Sequence, residues 1–304
     1  MSKERLATEL CGLHLATPVL GASGTFGFGL EYADFVDMAD VGGILSKGIT
    51  PLPRSGNAGV RIAETPAGML NCIGLENPGV DVFLQDILPK AGHLAAPLIV
   101  NISAGTAEEY GELAEKLDVD GVAAIEVNIS CPNVKEGGIV FGTDPKAAAR
   151  VTSEVKTHTK KPVIVKLSPN VTDITVMARA VEAAGADALT VCNTFLGMAI
   201  DIERRRPLLG NITGGLSGPA IRPIALRLVY QTAKVVKIPI IGCGGIQTGG
   251  DAVAFLLAGA TAVQVGAENF RDPRAVVRVA EGIDAYLERH GIANVREIVG
   301  ALEG

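Results

Sequence analysis

The stretch Val122-Ala-Ala-Ile-Glu-Val-Asn128-Ile-Ser-Cys-Pro-Asn133 decides how this chain is read. Its first six residues make a nearly unbroken apolar run, the pattern of a parallel strand buried on both faces. The run stops in carboxamides, a hydroxyl and a thiol, and Pro132 then turns the chain out of the sheet. A buried strand that ends in such groups delivers chemistry at its carboxyl end. No second Cys or His lies within five residues of Cys131, so metal-ligand spacing is absent. A lone thiol between Asn128 and Asn133 fits a base or nucleophile beside a polar, uncharged substrate. The competing reading is a buried structural cysteine, the commonest fate of a free thiol.

Working outward, similar short apolar runs occur at 18–22, 43–47, 98–102, 123–129, 163–167, 188–192, 238–242 and 262–266. Helical periodicity separates most of them, at 107–117, 145–158, 174–184, 221–234 and 250–258. Two further helices are expected at 273–290 and 295–302. Strands alternating with helices over about 250 residues match a (β/α)8 TIM barrel. A doubly wound open sheet competes, but no GxGxxG motif opens the first helix. Neither a composition shift nor a low-complexity linker appears, so residues 1–304 read as a single domain.

A barrel of this kind collects its active site at the carboxyl ends of the strands. Those ends carry Ser23-Gly24, Ser46-Lys47-Gly48, Asn101, Asn128, Lys166, Asn193-Thr194, Gly242-Cys-Gly-Gly245 and Gly266-Ala-Glu268. Lysines, carboxamides, a thiol and two glycine-rich turns therefore face one shared space. The last two turns fall after strands seven and eight, where barrels bind phosphate. On that reading a bulky side chain at Gly244 fills the space of the phosphate; a plain tight turn is the alternative.

Lys47 and Lys166 suit either a Schiff base, as in aldolases, or a fixed charge facing an anion. A flavin needs such a charge near N1 and O2, where negative charge builds on reduction. The carboxamides of Asn71, Asn128, Asn133 and Asn193 each offer donor and acceptor, matching the alternating edge of a pyrimidine ring. The long stretch 64–79 reads as a functional loop, with amides of Ile73, Gly74 and Leu75 suited to a carboxylate. The stretch 133–142 has the glycine hinges of a lid.

Composition narrows the class. The 304 residues are 48% hydrophobic, with 37 glycines, no tryptophan and a net charge of −6, which argues against a nucleic-acid binder. Five widely spaced cysteines with no CxxC pair make a disulfide framework, a zinc ribbon or an iron–sulfur cluster improbable. No metal is expected. The first residues lack the apolar core of a signal peptide, so a cytoplasmic protein with reduced thiols is expected.

Several motifs together resemble the class 1 dihydroorotate dehydrogenases: Gly24-Thr-Phe-Gly-Phe-Gly29, Ser46-Lys-Gly-Ile-Thr50, residues 64–79, 128–135 and 242–246. The resemblance runs from about Leu6 to the end. Cysteine in the Asn-Ile-Ser-Cys-Pro-Asn motif is the class 1 base, and the Thr-Phe-Gly-Phe-Gly and Glu-Thr-Pro-Ala-Gly-Met-Leu-Asn motifs look most like the NAD-linked class 1B branch. The resemblance implies FMN in the barrel and oxidation of dihydroorotate to orotate in pyrimidine synthesis. Cys131 then takes the C5 proton while hydride passes from C6 to flavin N5. Lys47, Asn71, Cys72, Ile73, Gly74, Leu75, Asn128, Asn193 and Thr194 hold the substrate. Ser23, Lys47, Gly48, Asn101, Asn128, Lys166, Val191, Gly218, Gly244, Gly245, Gly266 and Ala267 hold FMN.

The resemblance also implies a partner subunit carrying FAD and a [2Fe–2S] cluster, assembled around a homodimer core into a heterotetramer. Three alternatives stay open: a fumarate-dependent class 1A enzyme acting alone, a Schiff-base aldolase using Lys166, and a non-catalytic flavin-binding module.

Overall fold

Eight strands close into a parallel barrel in the computed structural model, which describes residues 1–129 and 138–303. In chain order they are β1 (Val19–Gly21), β2 (Gly43–Leu45), β3 (Leu98–Ile102), β4 (Ala124–Asn128), β5 (Val163–Lys166), β6 (Ala188–Val191), β7 (Ile240–Cys243) and β8 (Ala262–Val265). Each pairs with its successor and β8 closes onto β1, every pairing parallel. The expected barrel is therefore present, with strand ends within two residues of the sequence reading. Cys131, Asn133 and part of the expected lid lie outside the described residues. Gly138–Thr143 forms a short helix.

Six helices flank the barrel: α1 (Ala107–Lys116), α2 (Pro145–His158), α3 (Ile174–Ala183), α4 (Arg222–Ala233), α5 (Gly249–Leu257) and α6 (Ala275–Arg289). Four of them, α1, α2, α3 and α5, start at side-chain caps. Thr106 with Glu109 and Thr248 with Asp251 form reciprocal capping boxes, and Asp144 and Asp173 accept from first-turn amides. The helix expected at 295–302 is a single 3-10 turn, Val295–Ile298, because Val299 returns to extended backbone (φ −68°, ψ 114°).

Alternation along the strands sorts the interior into layers, since successive side chains point to opposite faces. Leu20, Leu45, Ile99, Ala124, Ile164, Ala188, Ile241 and Ala262 form one buried apolar cluster inside the barrel. An N-terminal hairpin, Thr8–Leu10 paired with Leu13–Leu15, adds Leu10 and Leu15 to that cluster and seals the end opposite the strand carboxyl termini. Two residues further along, the same inward positions carry Lys47, Asn101, Glu126, Lys166, Thr190, Cys243 and Gln264. The outward positions, among them Val19, Val100, Val127, Val165 and Val191, pack with the helices in the main core.

Residues 64–79 depart from the loop expected of them. Ile62–Thr65 and Gly68–Asn71 form a hairpin, extended by Thr213–Ser217 and Phe195–Met198 into a four-stranded antiparallel sheet. The hairpin's partners are remote in sequence, with Gly215 opposite Asn71, so no local pattern announced the pairing. Among the described residues no helix is long and apolar enough to cross a membrane.

Candidate active site

A cavity of about 370 Å³ lies at the carboxyl ends of the strands, walled on one side by the antiparallel sheet through Met69, Asn71, Gly215 and Ser217. Most residues named from the sequence line it: Ser23, Lys47, Gly48, Asn71, Ile73, Gly74, Leu75, Asn101, Asn128, Lys166, Asn193, Thr194, Gly218, Gly244, Gly245, Gly266 and Ala267.

Two do not. Cys72 is fully buried beside Ala63, Leu70 and Leu209, and its thiol donates to the Val60 carbonyl at 3.6 Å. Its neighbours Asn71 and Ile73 face the cavity, so alternation turns Cys72 away. Val191 occupies an outward position and packs in the main core; the cavity-lining side chain there is the next residue, Cys192. Cys131 lies outside the described residues.

The cavity floor is polar and buried. Lys166 Nζ stands 3.7 Å from Glu126 Oε1, with side-chain exposures of 7% and 0%. Burial works against the ammonium charge, but the Glu126 carboxylate outweighs it and raises the Lys166 pKa. Both thiols are pushed up, chiefly by burial, with Lys166 opposing the shift. Near neutral pH the floor therefore holds an ammonium and two neutral thiols.

Carboxamides ring the space above. Asn193 donates through Nδ2 to Asn128 Oδ1 at 3.3 Å, and its own Oδ1 accepts from the Thr194 amide at 2.8 Å. Asn71 Nδ2 donates to the Gly215 carbonyl at 3.2 Å, joining hairpin to sheet. Asn101 donates through Nδ2 to Glu126 at 2.7 Å, while its buried Oδ1 has no partner among the described residues. The Ser46 hydroxyl accepts from the Asn101 amide at 3.0 Å, and the Ser46 carbonyl accepts from Ser23 Oγ at 2.7 Å, tying β1, β2 and β3 together beneath the site.

The glycine turns are held tightly by the protein itself. A Cβ on Gly244 (φ +136°) would meet Ala225 Cβ at 2.7 Å, and one on Gly245 (φ +73°) would meet the Gly218 carbonyl at 2.7 Å and the Arg222 amide at 2.9 Å. An added side chain at 244 therefore meets α4 first, while Gly244 itself lines the cavity. Gly48 differs: its Cβ would stand 3.0 Å from Asn101 Oδ1 and 3.4 Å from Leu75, all three cavity-lining residues.

Several lining residues escaped the sequence reading, including Cys192, Ser217 and Phe270. Glu126, beneath the floor, was visible as a charge inside an apolar strand but was passed over.

Residues 5–287 match the family described as dihydroorotate dehydrogenase. The chain is 58% identical over 303 residues to the "Dihydroorotate dehydrogenase B (NAD(+)), catalytic subunit" of Geotalea uraniireducens, covering 99% of each. It is 57% identical over 304 residues to the protein of that name from Geobacter sulfurreducens, covering 100% of each. Among solved structures it resembles the dihydroorotate dehydrogenase of Eimeria tenella in complex with ferulenol, with a TM-score of 0.83 at 25% identity, over 98% of this chain and 88% of that one. A family match across most of the length, full-length relatives above half identity and a shared barrel lead to one assignment: the chain belongs to the dihydroorotate dehydrogenase family.

Proposed function

We propose that this chain oxidises (S)-dihydroorotate to orotate in pyrimidine synthesis, as the FMN-bearing catalytic subunit of a cytoplasmic, NAD-linked dehydrogenase. The observation that carries the reading is the cavity floor, where the Lys166 ammonium and the buried Asn101 Oδ1, which has no partner among the described residues, both line the cavity above Glu126. A flavin ring fits that pair, since it offers N–H to an acceptor and gathers negative charge facing a cation. Gly266 crowds the space little, since a Cβ there would meet only Ala22, at 3.7 Å.

On this reading the whole chain, 1–304, acts as one FMN-binding domain. Ser23, Lys47, Gly48, Asn101, Asn128, Lys166, Gly218, Gly244, Gly245, Gly266, Ala267 and the backbone at Val191 would hold FMN. When bound, that group supplies the acceptor for the C6 hydride of the substrate. Lys47, Asn71, Ile73 to Leu75, Asn128, Asn193 and Thr194 bind and orient dihydroorotate, with Cys72 contributing backbone alone. The Asn128–Asn193 pair fixes which edge each amide turns to the ring. Cys131 takes the C5 proton.

Electrons leave to a partner subunit carrying FAD and a [2Fe–2S] cluster, two of each chain forming the complex. A Schiff-base role for Lys166 is disfavoured, because its amine is held protonated against Glu126 and lacks the lone pair a carbonyl requires.

An absorbance spectrum of the purified chain tests the proposal. Flavin bands that bleach anaerobically on adding dihydroorotate are expected; a colourless protein, or a yellow one that dihydroorotate leaves unbleached, overturns it.

A further inference from the structure

Between the apolar layer and the cavity floor sits one carboxylate with no exposure at all, Glu126. Four side chains from four different strands converge on it. Asn101 Nδ2 (2.7 Å) and Lys166 Nζ (3.7 Å) approach Oε1; Thr190 Oγ1 (2.6 Å) and Gln264 Nε2 (3.0 Å) approach Oε2. Gln264 also donates to Thr190 Oγ1 at 3.2 Å and accepts from Lys166 Nζ at 3.5 Å, closing the network around the carboxylate.

Only two of those four partners, Asn101 and Lys166, line the cavity, and Glu126 itself does not. The Asn101 Nδ2 donation beneath the floor settles how the amide is turned, and it leaves Oδ1 as the acceptor without a partner among the described residues. The Lys166 ammonium is held at the floor by the same oxygen that orients Asn101. One carboxylate thus sets both the charge and the acceptor that the floor offers.

We infer that Glu126 is the positioning residue of the cofactor site, acting through Lys166 and Asn101 and touching neither substrate nor cofactor. The inference rests on the function proposed above for the identity of the flavin that these two groups face.

The physics turns on an unpaired charge. A lysine buried without a counter-ion sheds its proton, because desolvation penalises the charged form. The groups facing Lys166 are Glu126 from β4, Cys243 from β7 and Cys192 just beyond β6. Burial holds both thiols neutral, so the compensating charge comes from Glu126. Glu126→Gln keeps the size and an acceptor oxygen but leaves the ammonium uncompensated. At low pH that extra positive charge favours the anionic reduced flavin and raises its midpoint potential above wild type. As pH climbs, Lys166 loses its proton, the net charge returns to zero, and the difference from wild type closes.

Anaerobic redox titration of the FMN-loaded protein across mildly acidic to alkaline pH reads this directly. The expected result is an upward shift in Glu126→Gln that shrinks with rising pH, while Glu126→Asp, which keeps the charge, follows wild type. A Glu126→Gln potential that tracks wild type at every pH overturns the inference. Urea unfolding of the unloaded full chain gives a second measurement that needs no flavin. Glu126→Gln/Lys166→Met is expected to be no less stable than Glu126→Gln alone, because it removes the stranded ammonium; additive losses overturn the pairing. A wild-type chain that binds no FMN defeats the proposed function, yet the unfolding cycle still judges Glu126 against Lys166.

Discussion

The hydroxyl of Tyr110 donates to the backbone carbonyl of Asn128 at 2.7 Å, pinning the carboxyl end of β4 to α1. Tyr110 is fully buried, and its ring meets Phe141 edge-on, with centroids 6.0 Å apart. One side chain therefore touches both described flanks of the segment that carries Cys131.

Removing that hydroxyl tests whether the anchor serves chemistry. Tyr110→Phe keeps the packing and loses the hydrogen bond, which costs about 1 kcal/mol of stability. We expect the variant to retain FMN but to reduce it more slowly with dihydroorotate. Tyr110→Ala also opens a cavity and costs about 3–5 kcal/mol. Urea denaturation and stopped-flow flavin reduction check both; an unchanged reduction rate in Tyr110→Phe confines the anchor to stability.

The base is tested at Cys131. Cys131→Ala should keep bound FMN and lose on the order of 10² to 10⁴ in the rate of flavin reduction at neutral pH. A free thiol ionises at about pH 8.5, so wild-type activity should rise toward alkaline pH as thiolate accumulates. Cys131→Ser should be partly active, with its profile displaced upward because a hydroxyl ionises far later. Wild-type rates in Cys131→Ala would end the assignment.

The barrel was legible because its signal is local: eight apolar runs, each ending in polar residues, mark both the strands and the end that carries the site. The wall built from Gly68–Asn71 and Thr213–Ser217 was not, since strand pairing between remote segments leaves no trace in either one. Val191 shows a second limit. A family motif carries over a position, whereas alternation decides which way its side chain points, and here the cavity receives Cys192 instead. Glu126 shows a third, because its partners Thr190 and Gln264 look like ordinary strand residues until the barrel closes around them.

Glycine positions separate cradle from scaffold. Gly48→Ala places a methyl among Asn101 Oδ1 and Leu75 while its backbone stays ordinary, so FMN affinity should fall with little loss of stability. Gly244→Ala drives a methyl into Ala225 from a backbone at φ +136°, so the unfolding midpoint should fall even without flavin. Flavin titration and urea denaturation of the unloaded proteins distinguish the two; equal stability losses refute the division.

Acid stability should report on the N-terminal clamp. Asp284 on α6 accepts from Arg5 Nε at 2.7 Å and from the Ser2 amide at 2.8 Å. Burial opposes its ionisation, but those hydrogen bonds, with the charges of Arg5 and the N-terminal ammonium, outweigh it and hold its pKa below the usual carboxylate value. A depressed carboxylate contributes stability that is fully present above the unfolded value of about 3.9 and is lost as pH falls through the folded one. Asp284→Asn should therefore melt lower than wild type at neutral pH, and the gap should close below about pH 4. A gap of constant size at every pH removes the ion-pair explanation.

Electron exit is the last consequence of the proposed function. Reduced flavin must be reoxidised before a second turnover, and this chain offers neither CxxC cluster spacing nor a GxGxxG turn after its first strand. On the proposed function, electrons cross the protein surface to another carrier. The purified, FMN-loaded chain is expected to reduce artificial acceptors with dihydroorotate but to form no NADH. Adding a subunit that bears FAD and a [2Fe–2S] cluster should restore NADH formation, and the native complex should have the mass of two copies of each chain. Steady-state NADH assays and native mass measurement check these expectations together. Robust NAD reduction by the chain alone refutes the need for a partner, and efficient turnover with fumarate would place the protein in the class 1A branch.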